Sequence, residues 1–144
     1  DLDLFYQQLA VLFTLPGSPC IYYGTEIAME GGFDPDCRRC MPWEDIESDE
    51  NKERIRQMKT LIKIRRTEEA CRSLYFHFPN KYENRRCVEY IKLDSGNRKL
   101  EVLLNCSGAD VETEPGGEIL FARNYHDNIL EPKGTLIRKK HETQ

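Results

Sequence analysis

The hydrophobic pattern of this chain changes near residue 70. Before that point, apolar residues recur with a helical period in two segments. After it, short runs rich in β-branched and aromatic residues alternate with turn clusters. Because a chain of 144 residues usually forms one domain, or a small domain attached to part of another, the pattern predicts an α+β protein whose sheet follows its helices.

The first seventy residues predict a helix, a strand, a loop and a second helix. Apolar residues cover so much of the first helix that we expect it to be buried on more than one side until Pro16 ends it. The unbroken apolar run at residues 20–23 (CIYY) predicts a strand covered on both faces, as in a parallel sheet. A long loop follows over residues 25–51, and residues 52–66 predict an amphipathic helix whose basic residues form a solvated face.

The remainder of the chain predicts an antiparallel sheet. The β-rich runs span residues 88–93, 100–105, 118–121 and 136–138. The turn residues at 94–97 (DSGN) predict a hairpin between the first two runs. We therefore expect a small antiparallel β-sandwich, with its boundary near residue 70.

Composition excludes several classes of protein. No apolar run approaches the ~20 residues that a membrane-spanning helix needs. The net charge of −4 argues against a nucleic-acid-binding protein, since phosphate neutralisation requires an excess of Lys and Arg. The six cysteines are scattered, which favours reduced thiols in a cytoplasmic protein. The first residues lack an initiator Met and a cleavable leader, so we expect a fragment that begins in mid-protein.

Two motifs connect this sequence to a known family. Residues 15–26 (LPGSPCIYYGTE) resemble the segment that carries the eighth barrel strand in the α-amylase superfamily. Residues 31–43 (GGFDPDCRRCMPW) are similar to the loop after that strand in neopullulanases, cyclomaltodextrinases and maltogenic amylases. Both motifs occur in the expected order and at the expected separation, so the chain is identified with the carboxy-terminal part of this group.

The resemblance implies a division of the chain into two parts. Residues 1–69 would form the end of a (β/α)8 catalytic barrel, comprising its seventh helix, eighth strand, long loop and eighth helix. Residues 70–144 would form the antiparallel carboxy-terminal domain. In the family, the nucleophile, the general acid and base, and a third carboxylate all follow earlier barrel strands, so this chain contains no catalytic residue and should be inactive alone.

The resemblance also implies a sugar-binding role for the loop. An Asp and an Arg four residues later hydrogen-bond sugar hydroxyls in the family, and these positions match Asp34 and Arg38. Trp43 could offer an apolar face to a sugar ring. A second interpretation is that Asp34 and Arg38 pair with each other and order the loop, and that Trp43, with Phe33, packs within it.

Other polar residues of this region are given structural roles. The resemblance implies that Tyr23 and Glu26 support the barrel rim through hydrogen bonds, although a direct contact with substrate stays open. The acidic cluster after Trp43 is interpreted as solvated. Cys37 and Cys40 have the C-x-x-C spacing of a zinc site, but the sequence supplies no second ligand pair of suitable spacing. We expect no metal, calcium included, and no cofactor.

These observations predict the fragment of a retaining hydrolase of α-1,4-glucosidic bonds. The partner of the intact parent would be a cyclodextrin, pullulan or a maltooligosaccharide. The alternative is a non-catalytic module that stabilises the barrel or contacts another subunit. In either case residues 20–23 would lack their neighbouring strands, so we expect this run to pair with a second copy of the chain or to be covered by rearranged helices.

Overall fold

The computed structural model describes residues 1–82 and 86–140. Its two α-helices and five β-strands are α1 (Leu2–Thr14), α2 (Asp49–Thr67), β1 (Cys87–Leu93), β2 (Lys99–Asn105), β3 (Val111–Glu112), β4 (Glu118–His126) and β5 (Ile129–Lys140). No described helix combines the length and the apolar character that crossing a bilayer would require. The α+β class and the antiparallel sheet are both as predicted.

The first helix is buried on one broad face. The Asp1 carboxylate caps its amino end by accepting a hydrogen bond from the Leu4 amide at 3.2 Å. Tyr6, Ala10 and Phe13 are at most 3% exposed, whereas the Leu4 side chain on the other side is 47% exposed. The predicted burial on more than one side is therefore only partial, because Phe5 and Val11 are half-buried against the core while Leu4 stays exposed.

The second helix begins slightly earlier than predicted, after Ser48, whose hydroxyl accepts from the Asn51 amide. Its basic residues do not all form a solvated face. Arg65 is only 8% exposed, and its guanidinium donates to the carbonyls of Phe13, Leu15, Gly17 and Cys71. Arg65 thus satisfies carbonyl oxygens that the end of α1 leaves free.

The five described strands form a single antiparallel sheet. Strand β5 lies in its middle, paired with β2 and β3 along one edge and with β4 along the other, while β1 pairs with β2. Residues 94–98 connect β1 to β2, with the Asp94 carboxylate accepting from the amides of Gly96 and Arg98. The predicted hairpin is confirmed. The predicted sandwich is not, because the described strands do not form a second sheet.

One face of the sheet packs against the helices. Tyr90, Val102 and Ile137 join the apolar residues of α1 and α2 in one hydrophobic cluster. Alternation along the strands points Leu103 and Leu136 to the opposite face, where they form a second, smaller cluster. That opposite face also carries a fully buried ion pair between Arg138 and Glu101. We call the helices and the sheet together the body.

Residues 15–48, which we call the loop segment, cross the surface between the two helices. They contain two single 3₁₀ turns, Thr25–Ile27 and Asp36–Arg38. The predicted strand at residues 20–23 is not formed, since the described chain offers no neighbouring strand to pair with it. Tyr22 and Tyr23 are 58% and 43% exposed, whereas Ile21 packs against the hydrophobic cluster of the helices, so the run is only partly covered.

Candidate functional site

The base of the loop segment is attached to the body. The Ile27 side chain is 2% exposed, and Arg54 of α2 donates to the Ile27 carbonyl at 3.0 Å. Gly24 adopts a φ of 87°, and a Cβ atom there would lie 2.9 Å from the Met29 Cβ atom. A glycine is therefore required at this turn.

A small polar network gives the tip of the loop a defined shape. The Asp36 carboxylate accepts from the Gly32 amide at 2.8 Å and from two nitrogens of the Arg39 guanidinium at 2.6 Å each. The hydrogen bond from Arg39 lowers the pKa of Asp36 below its ordinary value. The Tyr23 hydroxyl in turn donates to the Arg39 carbonyl at 2.8 Å. Tyr23 thus helps to hold the shape of the loop tip, while the predicted support of a barrel rim by Tyr23 and Glu26 stays a prediction.

Asp34 and Arg38 lie together on the outer surface of this tip. The Arg38 guanidinium donates to the Asp34 carboxylate, and the two side chains are 59% and 69% exposed respectively. The pairing anticipated by the second interpretation is therefore present. An exposed pair of this kind stabilises a fold by about 0–1 kcal/mol. The pair leaves one carboxylate oxygen and most guanidinium N–H groups available to a ligand.

The aromatic residues of the loop segment point into solvent. Phe33 is 98% exposed and Trp43 is 74% exposed. The prediction that Phe33 and Trp43 pack within the loop is wrong for this chain, since the loop segment has no apolar interior for them to enter. Both side chains instead present apolar surface on the same segment that carries Asp34 and Arg38.

The cysteine pair and the acidic cluster of the loop segment lie at the protein surface. Cys37 and Cys40 are exposed free thiols. Within residues 1–82 and 86–140, no three His, Cys, Asp or Glu side chains are grouped to bind a metal ion. The acidic residues before and within the start of α2 make surface ion pairs, such as Glu47 with Lys52 at 3.1 Å. None of them is placed to act as an acid in a closed site.

Sequence reasoning missed two buried acidic residues in the body. Glu89 and Glu101 lie on the sheet face opposite the helices and are 5% and 1% exposed. Strand alternation could have identified them, because it places Glu89 on the same side as the apolar Ile91. What sequence alone does not give is the pairing that sets β1, β2 and β5 side by side, which brings Glu101 beside both Glu89 and Arg138.

Comparison with known proteins places these features in a family. The chain is 38% identical over 107 residues to a cyclomaltodextrinase from a Bacillus species, a match that covers 73% of the chain and 19% of the relative. It is 41% identical over 139 residues to a cyclomaltodextrinase from Thermoanaerobacter pseudethanolicus, covering 91% of the chain and 24% of the relative. Other relatives are named maltogenic α-amylase, intracellular maltogenic amylase and neopullulanase 2.

The fold has a counterpart among solved structures. A protein from Salmonella typhimurium assigned as an α-amylase superposes with a TM-score of 0.71 at 17% identity, covering 97% of this chain and 31% of that one. No protein-family model matches the chain. The sequence relatives place the chain in the α-amylase superfamily. Within that superfamily its relatives are the cyclomaltodextrinases, maltogenic amylases and neopullulanases, which confirms the resemblance. The chain spans about a fifth of the length of the first relatives it matches.

Proposed function

We propose that this chain acts as the carboxy-terminal part of a retaining glycoside hydrolase that cleaves α-1,4-glucosidic bonds. Its similarity to a cyclomaltodextrinase over 139 residues, which is only 24% of that relative, carries the proposal. Residues 1–69 would complete the catalytic barrel, and residues 70–144 would form the carboxy-terminal domain. Residues 83–85 and 141–144 of the second part lie outside the described structure. The substrate of the parent would be a cyclodextrin, pullulan or a maltooligosaccharide.

In this proposal, Asp34 and Arg38 bind the sugar side by side. One hydroxyl of a glucose ring would donate to the free oxygen of Asp34, and a neighbouring hydroxyl would accept from a free N–H of Arg38. The exposure of both side chains makes these contacts sterically accessible. Trp43 would pack its indole against the apolar face of a ring. The Asp36 network would then keep the tip in shape whether or not sugar is bound.

The chain alone should not hydrolyse glucans. Retaining glycosidases need a nucleophilic carboxylate and a second carboxyl group about 5–5.5 Å from it across the scissile bond. The family supplies these groups from earlier barrel strands, for which this sequence has no matching positions. We expect incubation of the purified chain with maltotriose to yield no glucose or maltose above a buffer blank.

A fluorescence titration of Trp43, the only tryptophan, tests the sugar-binding part of the proposal. We expect maltotriose or a cyclodextrin to give a saturable change that is lost in both Asp34→Ala and Arg38→Ala. Matched controls are Glu44→Ala, which removes an exposed acid beside the fluorophore, and Arg66→Ala, which removes an exposed base. An unchanged titration in Asp34→Ala and Arg38→Ala would contradict the proposal.

The second candidate function is a non-catalytic interaction module. The exposed run at residues 20–23 and the exposed Phe33 favour it, because unburied apolar surface is often covered by a partner. The module would stabilise a barrel or contact another subunit, and any sugar contact would be incidental. A cytoplasmic location suits both candidates, since one relative is named an intracellular enzyme and all six cysteines are free thiols.

A further inference from the structure

Phe33 is the most exposed large apolar side chain among the described residues, at 98%. By comparison, Trp43 of the same segment is 74% exposed and Tyr22 is 58% exposed. A single exposed apolar residue is common on protein surfaces and by itself indicates no function. Phe33 differs in degree, because its exposure leaves both faces and the outer edge of the ring free of protein contacts. The phenyl group therefore projects from the loop segment, and a ligand can enclose it.

The backbone that carries Phe33 is held in a closed turn. The Phe33 carbonyl accepts a hydrogen bond from the Asp36 amide at 2.7 Å. On the other side of Phe33, the Gly32 amide donates to the Asp36 carboxylate at 2.8 Å. Arg39 donates to the same carboxylate through two guanidinium nitrogens. The point from which the phenyl group projects is thus fixed before any ligand binds, which reduces the entropy that binding costs.

The two residues proposed to bind sugar lie next to this ring. Asp34 follows Phe33 directly in the chain, and the Arg38 guanidinium donates to the Asp34 carboxylate. Both side chains are more than half exposed. The tip of the loop segment thus combines one projecting apolar group with a carboxylate and a guanidinium beside it. A ligand that matches this combination has an apolar cavity and carries hydroxyl groups around the rim of that cavity.

A ring-shaped glucan has both of these features. The carbon-bound hydrogens of its glucose units line the inside of the ring, and the hydroxyl groups occupy the two rims. A linear glucan can lie against one face of an aromatic side chain, but it does not enclose that side chain. Contact with one face would allow the other face of Phe33 to pack against protein. Enclosure requires the whole ring to be free, as it is here.

We propose that Phe33 makes the loop segment selective for cyclic over linear glucans by inserting its ring into the cavity of a cyclodextrin, while Asp34 and Arg38 bind hydroxyl groups of the rim. This inference rests on the proposed function, which assigns the sugar contacts of Asp34 and Arg38. Burial of the phenyl group favours binding, and a linear glucan obtains only part of that contribution. Trp43 can pack against a glucose ring of either kind of glucan, so it does not distinguish between them.

The test compares β-cyclodextrin with maltoheptaose, a linear glucan with the same number of glucose units, by isothermal titration calorimetry of the full chain. The parent should bind β-cyclodextrin more tightly. We expect Phe33→Ala to weaken β-cyclodextrin binding roughly tenfold and maltoheptaose binding by less than about threefold. Phe33→Tyr, which keeps the ring, should retain the preference. Tyr22→Ala removes another exposed aromatic ring of the loop segment and should leave both affinities unchanged.

A competing guest molecule tests the insertion itself. In complex with β-cyclodextrin, 1-adamantanol occupies the cavity and leaves the rim hydroxyl groups available. A saturating amount of 1-adamantanol should therefore weaken the binding of β-cyclodextrin to the parent about as much as Phe33→Ala does. It should not affect the binding of maltoheptaose, which has no such cavity.

Three results would overturn the inference, and they differ in what they mean for the proposed function. If the parent binds both glucans equally, or if the preference survives in Phe33→Ala or with 1-adamantanol, Phe33 does not select the ring. The proposed function then stands provided that Asp34→Ala loses both glucans. If β-cyclodextrin binding depends on Phe33 but is unchanged in Asp34→Ala and Arg38→Ala, the rim contacts do not exist. That result, or no binding of either glucan to the folded chain, would overturn the inference and the proposed function together.

Discussion

The body of this protein buries most of its large apolar side chains, whereas the loop segment leaves its largest ones exposed to solvent. In the body, Leu61 and Val102 are completely buried in a core shared by both helices and the sheet. In the loop segment, Phe33 and Trp43 are mostly exposed, and the tip is shaped by ion pairs and hydrogen bonds instead. Burial of apolar side chains thus stabilises the body. The loop segment instead exposes apolar and polar groups that a ligand or partner can contact.

The two regions should differ most in the free energy of unfolding that is lost when an ion pair is broken. Arg138→Met leaves the fully buried Glu101 carboxylate without its main partner, and we expect a loss of about 3–5 kcal/mol in the free energy of unfolding. Arg38→Met breaks an exposed pair and should cost no more than about 1 kcal/mol. Urea denaturation followed by circular dichroism measures both. Equal losses would show that the body does not depend on its buried pair.

Truncating an apolar side chain should likewise cost more stability in the body than in the loop segment. Leu61→Ala removes a completely buried side chain between the helices and the sheet, so we expect a loss of about 2–5 kcal/mol. Phe33→Ala removes an almost fully exposed ring, and its effect should stay within about 0.5 kcal/mol. The same denaturation experiment checks both values. A large loss in Phe33→Ala would mean that the loop segment is packed in solution.

The buried acid of the sheet should make the stability of the body depend on pH. The raised pKa of Glu89, about 7, means that the folded state holds a proton that the unfolded state has released between pH 4.5 and 7. The Glu89 contribution to stability therefore falls as pH rises through that window. Glu89→Gln removes this loss. As the pH rises from 5 to 8, we therefore expect the free energy of unfolding of the variant to increase by up to about 3 kcal/mol relative to that of the parent. Glu112→Gln, which is exposed, should show no such pH-dependent gain.

Charged neighbours of Glu89 also affect its pKa and therefore the size of this pH dependence. Glu101 from β2, Lys140 from β5 and Lys81 from the segment before β1 are the charged groups that act on Glu89. Glu101 raises the pKa of Glu89, while Lys81 and Lys140 lower it and offset part of the effect of burial. A pH-independent difference between Glu89→Gln and the parent would show that these cations compensate Glu89 completely.

The smallest effect expected is a weak association of the chain with itself. Residues 20–23 pair with no described strand, and Tyr22 and Tyr23 are exposed, so we expect this run to bind a second copy at high concentration. Light scattering should give an average mass above that of the monomer, and Tyr22→Lys should lower it. A strictly monomeric parent at all concentrations would contradict this prediction.

The secondary structure of the body was predictable because its signals are local. Helical spacing predicted α1 and α2, and alternation with the turn at residues 94–97 predicted the β1–β2 hairpin. The strand predicted at 20–23 is not formed, because its apolar pattern is that of a strand with neighbours on both edges, and residues 1–82 and 86–140 provide none. The same cause explains the exposed Trp43, whose predicted packing also required neighbours.

Polar contacts between residues close in sequence were predictable, whereas those between distant residues were not. The pairing of Asp34 with Arg38 was anticipated because a spacing of four residues lets the two side chains meet within one turn of chain. The burial of Glu89 beside Glu101 was not anticipated, because strand pairing between residues far apart in sequence produces it. Strand register and the path of the segment before β1 determine that arrangement, and both depend on long-range packing.

The decisive measurement for the glucan-binding role is the chemical-shift map of the labelled chain at a saturating concentration of maltotriose. If Asp34 and Arg38 receive the sugar, amides of residues 31–43 will shift in a saturable way, and those shifts will vanish in Asp34→Ala. If residues 31–43 remain unperturbed while the folded chain is intact, the loop segment does not bind the glucan.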